Sequence, residues 1–105
     1  MTSKDRRQKL SKMLHDILGS DEVYYDPPES IKMKYPAIVY TRAKIDTKNA
    51  DNRKYLIHDR YEVTFIHKDA DNPLFDDILQ MPFCSFDRSL KVSNLYHDIF
   101  TIYIQ

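Results

Sequence analysis

Four histidines and an abundance of aspartates raise metal or general acid–base chemistry first, because an imidazole stands near a carboxylate three times: His58-Asp59, His67-Asp69 and His97-Asp98. The spacing works against it. Adjacent residues of a strand point to opposite faces, so His97 and Asp98 cannot share one ion without a bulge. His67 and Asp69 can share a face, but two ligands do not make a site, and surface hydrogen bonding is the expected role. Cys84 lies in Met81-Pro82-Phe83-Cys84-Ser85, with no glycine-rich turn to present a nucleophile, and reads as a small hydrophobe opening a strand. Gly19 is the single glycine, which excludes the phosphate-cradling loops of dinucleotide and P-loop sites. These residues predict no enzyme, no metal and no cofactor.

Eight tyrosines and five phenylalanines, interleaved with Lys32, Lys34, Arg42, Arg53, Lys54 and Arg60, have the composition of a single-strand nucleic-acid platform. More often such aromatics are core and interface material, since tyrosine buries its ring and keeps its hydroxyl wet. The 105-residue chain carries 16 basic and 16 acidic side chains, so the domain-wide basic excess of a nucleic-acid binder is missing. The charges are nevertheless segregated: residues 1–20 net +3, 21–30 net −4, 31–60 net +5 and 61–105 net −4. Alternating blocks suit a protein that meets copies of itself head to tail. One cysteine allows no internal disulfide, and no run of apolar residues approaches the roughly 20 that span a bilayer. The basic start, Lys4 to Lys12, leads into no signal-peptide core, so a soluble protein retained in its cell of origin is expected, with residues 1–105 as a single domain.

The elements that must position these side chains follow from periodicity. Leu10, Met13, Leu14, Ile17 and Leu18 form one helical stripe, Arg6, Arg7, Lys9, Lys12 and Asp16 fall mainly elsewhere, Thr2 or Ser3 caps the start, and Gly19 ends the helix. Val23-Tyr24-Tyr25 is a short strand ended by Pro27-Pro28, and Tyr35 to Thr41 is the second strand. Lys44 to Arg53 is polar and reads as a long exposed loop. Arg60 to Lys68 alternates at period two, with Tyr61, Val63, Phe65 and His67 on one face, and Tyr55 and Ile57 extend this strand toward its start as half of a long hairpin. Asn72, Pro73, Asp76 and Asp77 mark a second helix, with Leu74/Ile78 and Phe75/Leu79 on its buried side and Pro82 as its stop. Cys84 to Lys91, with Phe86 and Leu90 inward, and Leu95 to Ile104 close the chain around a turn at Asn94. The last strand is apolar on both faces, which suits the middle of a covered sheet or a contact with another subunit. The order α-β-β-β-α-β-β predicts an α+β fold, an antiparallel sheet of about five strands with two helices on one face.

The stretches Tyr25-Asp26-Pro27-Pro28-Glu29-Ser30, Met33 to Tyr40, Arg60 to Ile66 with Asp69 to Pro73, and Asn94 to Phe100 together resemble the small tail-completion proteins of long-tailed bacteriophages, also called tail-terminator or neck proteins. The resemblance spans residues 5–105 and is structural, without a catalytic signature. It implies an α+β protein that assembles with itself as a ring, often a hexamer, on the head-proximal end of the tail tube. The implied partners are the tube protein and the head-connector or neck proteins, with DNA passing through the lumen unread. The implied location is the tail-neck junction of a virion put together in the bacterial cytoplasm. Under it, the polar segment Asp46 to Arg53, with Lys48, Asn49, Asp51 and Arg53, is the expected partner contact. A small nucleic-acid-binding protein and a single-partner adaptor domain are the alternatives.

Overall fold

The computed structural model describes residues 2–50 and 53–104; side chains of residues 44–58 lie outside that description. The elements run α1 (Ser3–Leu18), β1 (Val23–Tyr25), β2 (Ala37–Ala50), β3 (Arg53–His67), α2 (Leu74–Leu79), β4 (Cys84–Val92) and β5 (Leu95–Ile104). The fold is α+β, in the predicted order. The five strands form one sheet in the spatial order β1-β2-β3-β5-β4.

α1 starts at a reciprocal cap. Thr2 Oγ1 accepts from the Asp5 amide at 3.1 Å, and the Thr2 amide donates to Asp5 Oδ2 at 2.9 Å. That backbone donor, with the Thr2 hydroxyl, holds the Asp5 carboxyl below its usual range. The helix ends where Gly19 adopts φ 74° and donates its amide to the His15 carbonyl. Leu10 and Leu14 are fully buried, and so, against expectation, is Arg6. Arg6 lies one turn before Leu10 on the same stripe, and its charge is tolerated there because it meets a carboxylate.

The core is one layer between the helices and one sheet face. Ile38 and Tyr40 of β2, Tyr61, Val63 and Phe65 of β3, and Phe100, Ile102 and Ile104 of β5 pack with Leu10, Leu14 and Ile78. The alternation read in Tyr61, Val63 and Phe65 is therefore the helix-covered face. β5 lies between β3 and β4, and its Ile99 is buried on the opposite face together with Ile66 and Ala37.

Four local expectations need correction. β1 pairs parallel with β2, Val23 opposite Ile38, so the sheet is mixed; residues 26–36 bring the chain back to the starting end and pass through a cis Tyr35–Pro36 bond. The polar run at 44–50 is strand, the continuation of β2. Leu90 faces away from the helices because of a bulge at Asp87: Phe86 pairs with Phe100, but Arg88 pairs with Ile99, which inverts the alternation after it. Phe86 keeps its helix-side orientation, packing on Phe75 and Phe100, yet remains 43% exposed because β4 is the sheet edge. In α2, Pro73 takes the cap position, Asn72 Oδ1 accepts from the Leu74 amide, and Leu79 turns to solvent while Ile78 is buried. The β4–β5 hairpin turns through Ser93 and Asn94, both at positive φ, the signature of a type I′ turn.

A Cβ on Gly19 would meet no atom within 4 Å, so only backbone strain opposes a side chain there. Gly19→Ala is expected to lose about 1 kcal/mol in urea unfolding, and Gly19→Asn, whose side chain tolerates the left-handed region, to recover most of it.

Candidate functional site

β2 and β3 are longer than the sheet they belong to. β5 pairs with β3 only from Asp59 to His67, and β1 pairs with β2 only from Ile38 to Tyr40. Among the described residues, 46–50 and 53–58 pair only with each other, Asp46 with His58 through Ala50 with Arg53. They make a two-stranded arm of about 20 Å, from the rise of a strand, on a molecule measuring 51 × 24 × 23 Å. Register breaks lie between Arg42 and Lys44 at its root and between Lys48 and Asn49 further out.

The root is fastened by Asp59, fully buried opposite Ile45 on one side and Ile104 on the other. Its Oδ1 accepts from Arg6 Nε at 3.0 Å, and its Oδ2 accepts from Ser3 Oγ at 2.9 Å and Tyr61 OH at 3.2 Å. Arg42 Nε approaches the same Oδ2 at 3.5 Å, a charge contact without hydrogen-bond geometry, and its guanidinium lies 5.9 Å from the Tyr61 ring centre. Beside Tyr61 and Asp59 the Arg42 guanidinium is held charged more firmly than usual, and burial pushes the Tyr61 phenol up. One carboxylate thus ties the first turn of α1 to the place where the arm leaves the sheet.

A second polar row crosses the far end of the helix-covered face. His67 Nε2 is 2.6 Å from Asp98 Oδ2, and Ser89 Oγ donates to Asp98 Oδ1 at 2.6 Å. His67 is stacked between Phe65 and Tyr96, and its Nδ1 is buried without a hydrogen-bond partner. Lys91 lies over Tyr96. The order is serine, aspartate, histidine, with the carboxylate in the middle, so no imidazole stands ready to take a proton from Ser89. Ser89 and Asp98 border a surface cavity of about 410 Å³ whose other walls include Asp71, Asp76, Phe75 and Phe86. Among the described residues no group of three or more His, Cys, Asp or Glu side chains is arranged to hold a metal.

Of the expected contact residues, Lys48 and Asn49 lie in β2, Arg53 opens β3, and Asp51 lies outside the described residues. Neither His67 nor His97 takes the aspartate beside it in sequence. His67 takes Asp98 across the sheet, His97 Nδ1 meets the Leu95 carbonyl, and Asp59 takes Arg6, while the His58 side chain lies outside the described residues. Sequence reasoning missed the Asp59 and Asp98 clusters. The one available signal was parity: Arg6 on the apolar stripe of α1, and His67 in line with Phe65. Cys84, packed beside the core, has its thiol pushed up to about 11 by burial.

No protein-family model matches the chain, and no curated protein sequence matches it significantly.

Removing one partner of the buried cluster leaves the other charge stranded. Asp59→Ala is expected to lose about 3 kcal/mol in chemical denaturation, against a much smaller loss for the exposed Asp16→Ala, whose partner Lys12 is solvated. Cys84, with its folded thiol titrating near 11, stays protonated at neutral pH. Alkylation of the native protein is expected to accelerate only as pH approaches that value, and unfolding in denaturant to restore ordinary thiol reactivity at pH 8; rapid native labelling at neutral pH contradicts the burial.

Proposed function

We propose that this chain is a structural, non-enzymatic virion protein that caps the head-proximal end of a phage tail tube as a homo-oligomeric ring and joins the tail to the head connector. The observation that supports this reading is the arm. A two-stranded ribbon has too little packed surface to be stable alone in water, so residues 46–50 and 53–58 call for a partner surface. An element built to reach beyond its own domain fits assembly better than catalysis. The resemblance in sequence supplies the place of assembly, and the alternating charge blocks fit head-to-tail association.

In this reading the body of the fold holds the position in the ring, and the arm, with Lys48, Asn49 and Arg53, reaches neighbouring protein. DNA passes the lumen without sequence recognition, in keeping with the net charge of zero.

The test is size-exclusion chromatography with light scattering over a concentration series, with negative-stain images of the largest species. A closed ring is expected; a hexamer of 12.6-kDa chains has a mass of about 76 kDa. A strict monomer at every concentration that binds DNA with steep salt dependence overturns the reading in favour of a nucleic-acid protein.

A further inference from the structure

The sheet is unfinished in two places. β4 is an edge strand exposed along nearly its whole length, and four large apolar side chains stand in solvent on or beside it: Phe83 (67%), Phe86, Leu90 and Val92 (51%). Such an edge is a template for another strand unless something blunts it. The bulge at Asp87 blunts only the first part; Arg88 to Val92 continues in unbroken register with Ile99 to Leu95. The second open place is the outer side of the arm. Beyond Asp59, β3 has no neighbour on the side where β5 lay, and residues 53–58 leave that edge unpaired among the described residues. This segment, Arg53-Lys54-Tyr55-Leu56-Ile57-His58, is rich in strand-forming and apolar residues, whereas the β2 half of the arm is polar.

We propose that the free β3 edge of one copy's arm pairs with the β4 edge, Arg88 to Val92, of a second copy. Each chain would thereby offer one donor strand and one acceptor edge. Apolar chemistry favours this occupant. The donor segment contains Tyr55, Leu56 and Ile57, and the acceptor edge carries the exposed Leu90 and Val92 with Phe83 and Phe86 beside it. Charge does not select it: the donor carries Arg53 and Lys54, the acceptor carries Lys91 and an Arg88 already paired with Asp87, and Asp71 and Asp76 wall the cavity beside β4. Donor and acceptor are different surfaces of one chain, so the contact is heterologous and propagates from copy to copy, closing into a ring where the rotation permits. The inference deepens the reading above and rests on the self-association that reading requires, but it needs no virion.

The experiment is site-directed disulfide trapping in a Cys84→Ser background. Lys54→Cys and Arg88→Cys are made in separate chains, with Asp16→Cys on the exposed side of α1 as the control position. After mixing and mild oxidation, Lys54→Cys with Arg88→Cys is expected to give a mixed-disulfide dimer, and one chain carrying both to give a ladder of oligomers. Either partner with Asp16→Cys is expected to give none. Assemblies that form without the Lys54/Arg88 crosslink overturn the pairing and leave the ring reading standing. Crosslinked open filaments without closed rings support the pairing and overturn the ring. A chain that stays monomeric and uncrosslinked overturns both.

Two further variants separate the interface from the fold. Leu90→Lys with Val92→Lys places charge on side chains that already face water, so the melting temperature should hold while association weakens about tenfold or more. Phe83 sits at φ 57°, so Phe83→Gly relieves a strained residue and removes an exposed ring, and the monomer should stay folded with weaker association. Unchanged association in both variants contradicts the proposal.

Discussion

The buried carboxylate of Asp59 is the constraint on which this molecule is organised. It lies at the point where β5 stops and the β2–β3 pair runs on alone. A charge there needs partners, and they come from far along the chain: Ser3 and Arg6 from the first helix, Tyr61 from its own strand, Arg42 from across the bulge. The cluster sets where α1 docks, and α1 in turn supplies Leu10 and Leu14 to the core. Buried ionic clusters often add no more stability than apolar packing of the same volume. What the ionic cluster adds is direction, because the guanidinium and hydroxyl donors fit one placement of the helix over the root of the arm.

From that root outward the physics changes. The body is a five-stranded sheet with one helix-covered face, stabilised by burial of Tyr61, Phe65, Phe100 and the aliphatic residues around them. The arm is built differently. Its hydrogen bonds are confined to two strands, and the opposite edge of the sheet, β4, presents apolar side chains to water. Both features are liabilities in an isolated monomer, and the proposed pairing between copies would answer both. The same logic leaves the Ser89–Asp98–His67 row a structural tie. The central carboxylate binds β4 to β5 and β5 to β3, holding in register the strand that carries the exposed edge.

The sequence makes the body legible where local chemistry decides the structure. Gly19, the Thr2 cap, one of two candidates in the sequence, the Asn94 turn and the alternation of Tyr61, Val63 and Phe65 each act within a few residues, and each lies where expected. The arm was not legible as strand at 44–50, because the run Lys44 to Ala50 is mostly polar and shows no apolar period. Leu90 pointed the wrong way because one bulged residue inverts everything after it. The two polar clusters depend on the register of distant segments: Arg6 meets Asp59 across 53 positions, and His67 meets Asp98 across 31. Adjacent His-Asp pairs drew attention in the sequence, yet alternation sends adjacent side chains to opposite faces, and the true partners stand across the sheet.

Hydrogen exchange followed by mass spectrometry, on dilute monomer and on concentrated assembly, tests most directly whether the arm and the β4 edge complete one another between copies. The account predicts that amides of residues 53–58 and 88–92 exchange quickly in the monomer and become protected together on assembly, while α1 and the core of β3 change little. Assembly that protects α1 or the β1 side of the sheet and leaves 53–58 and 88–92 exchanging as fast as before contradicts it.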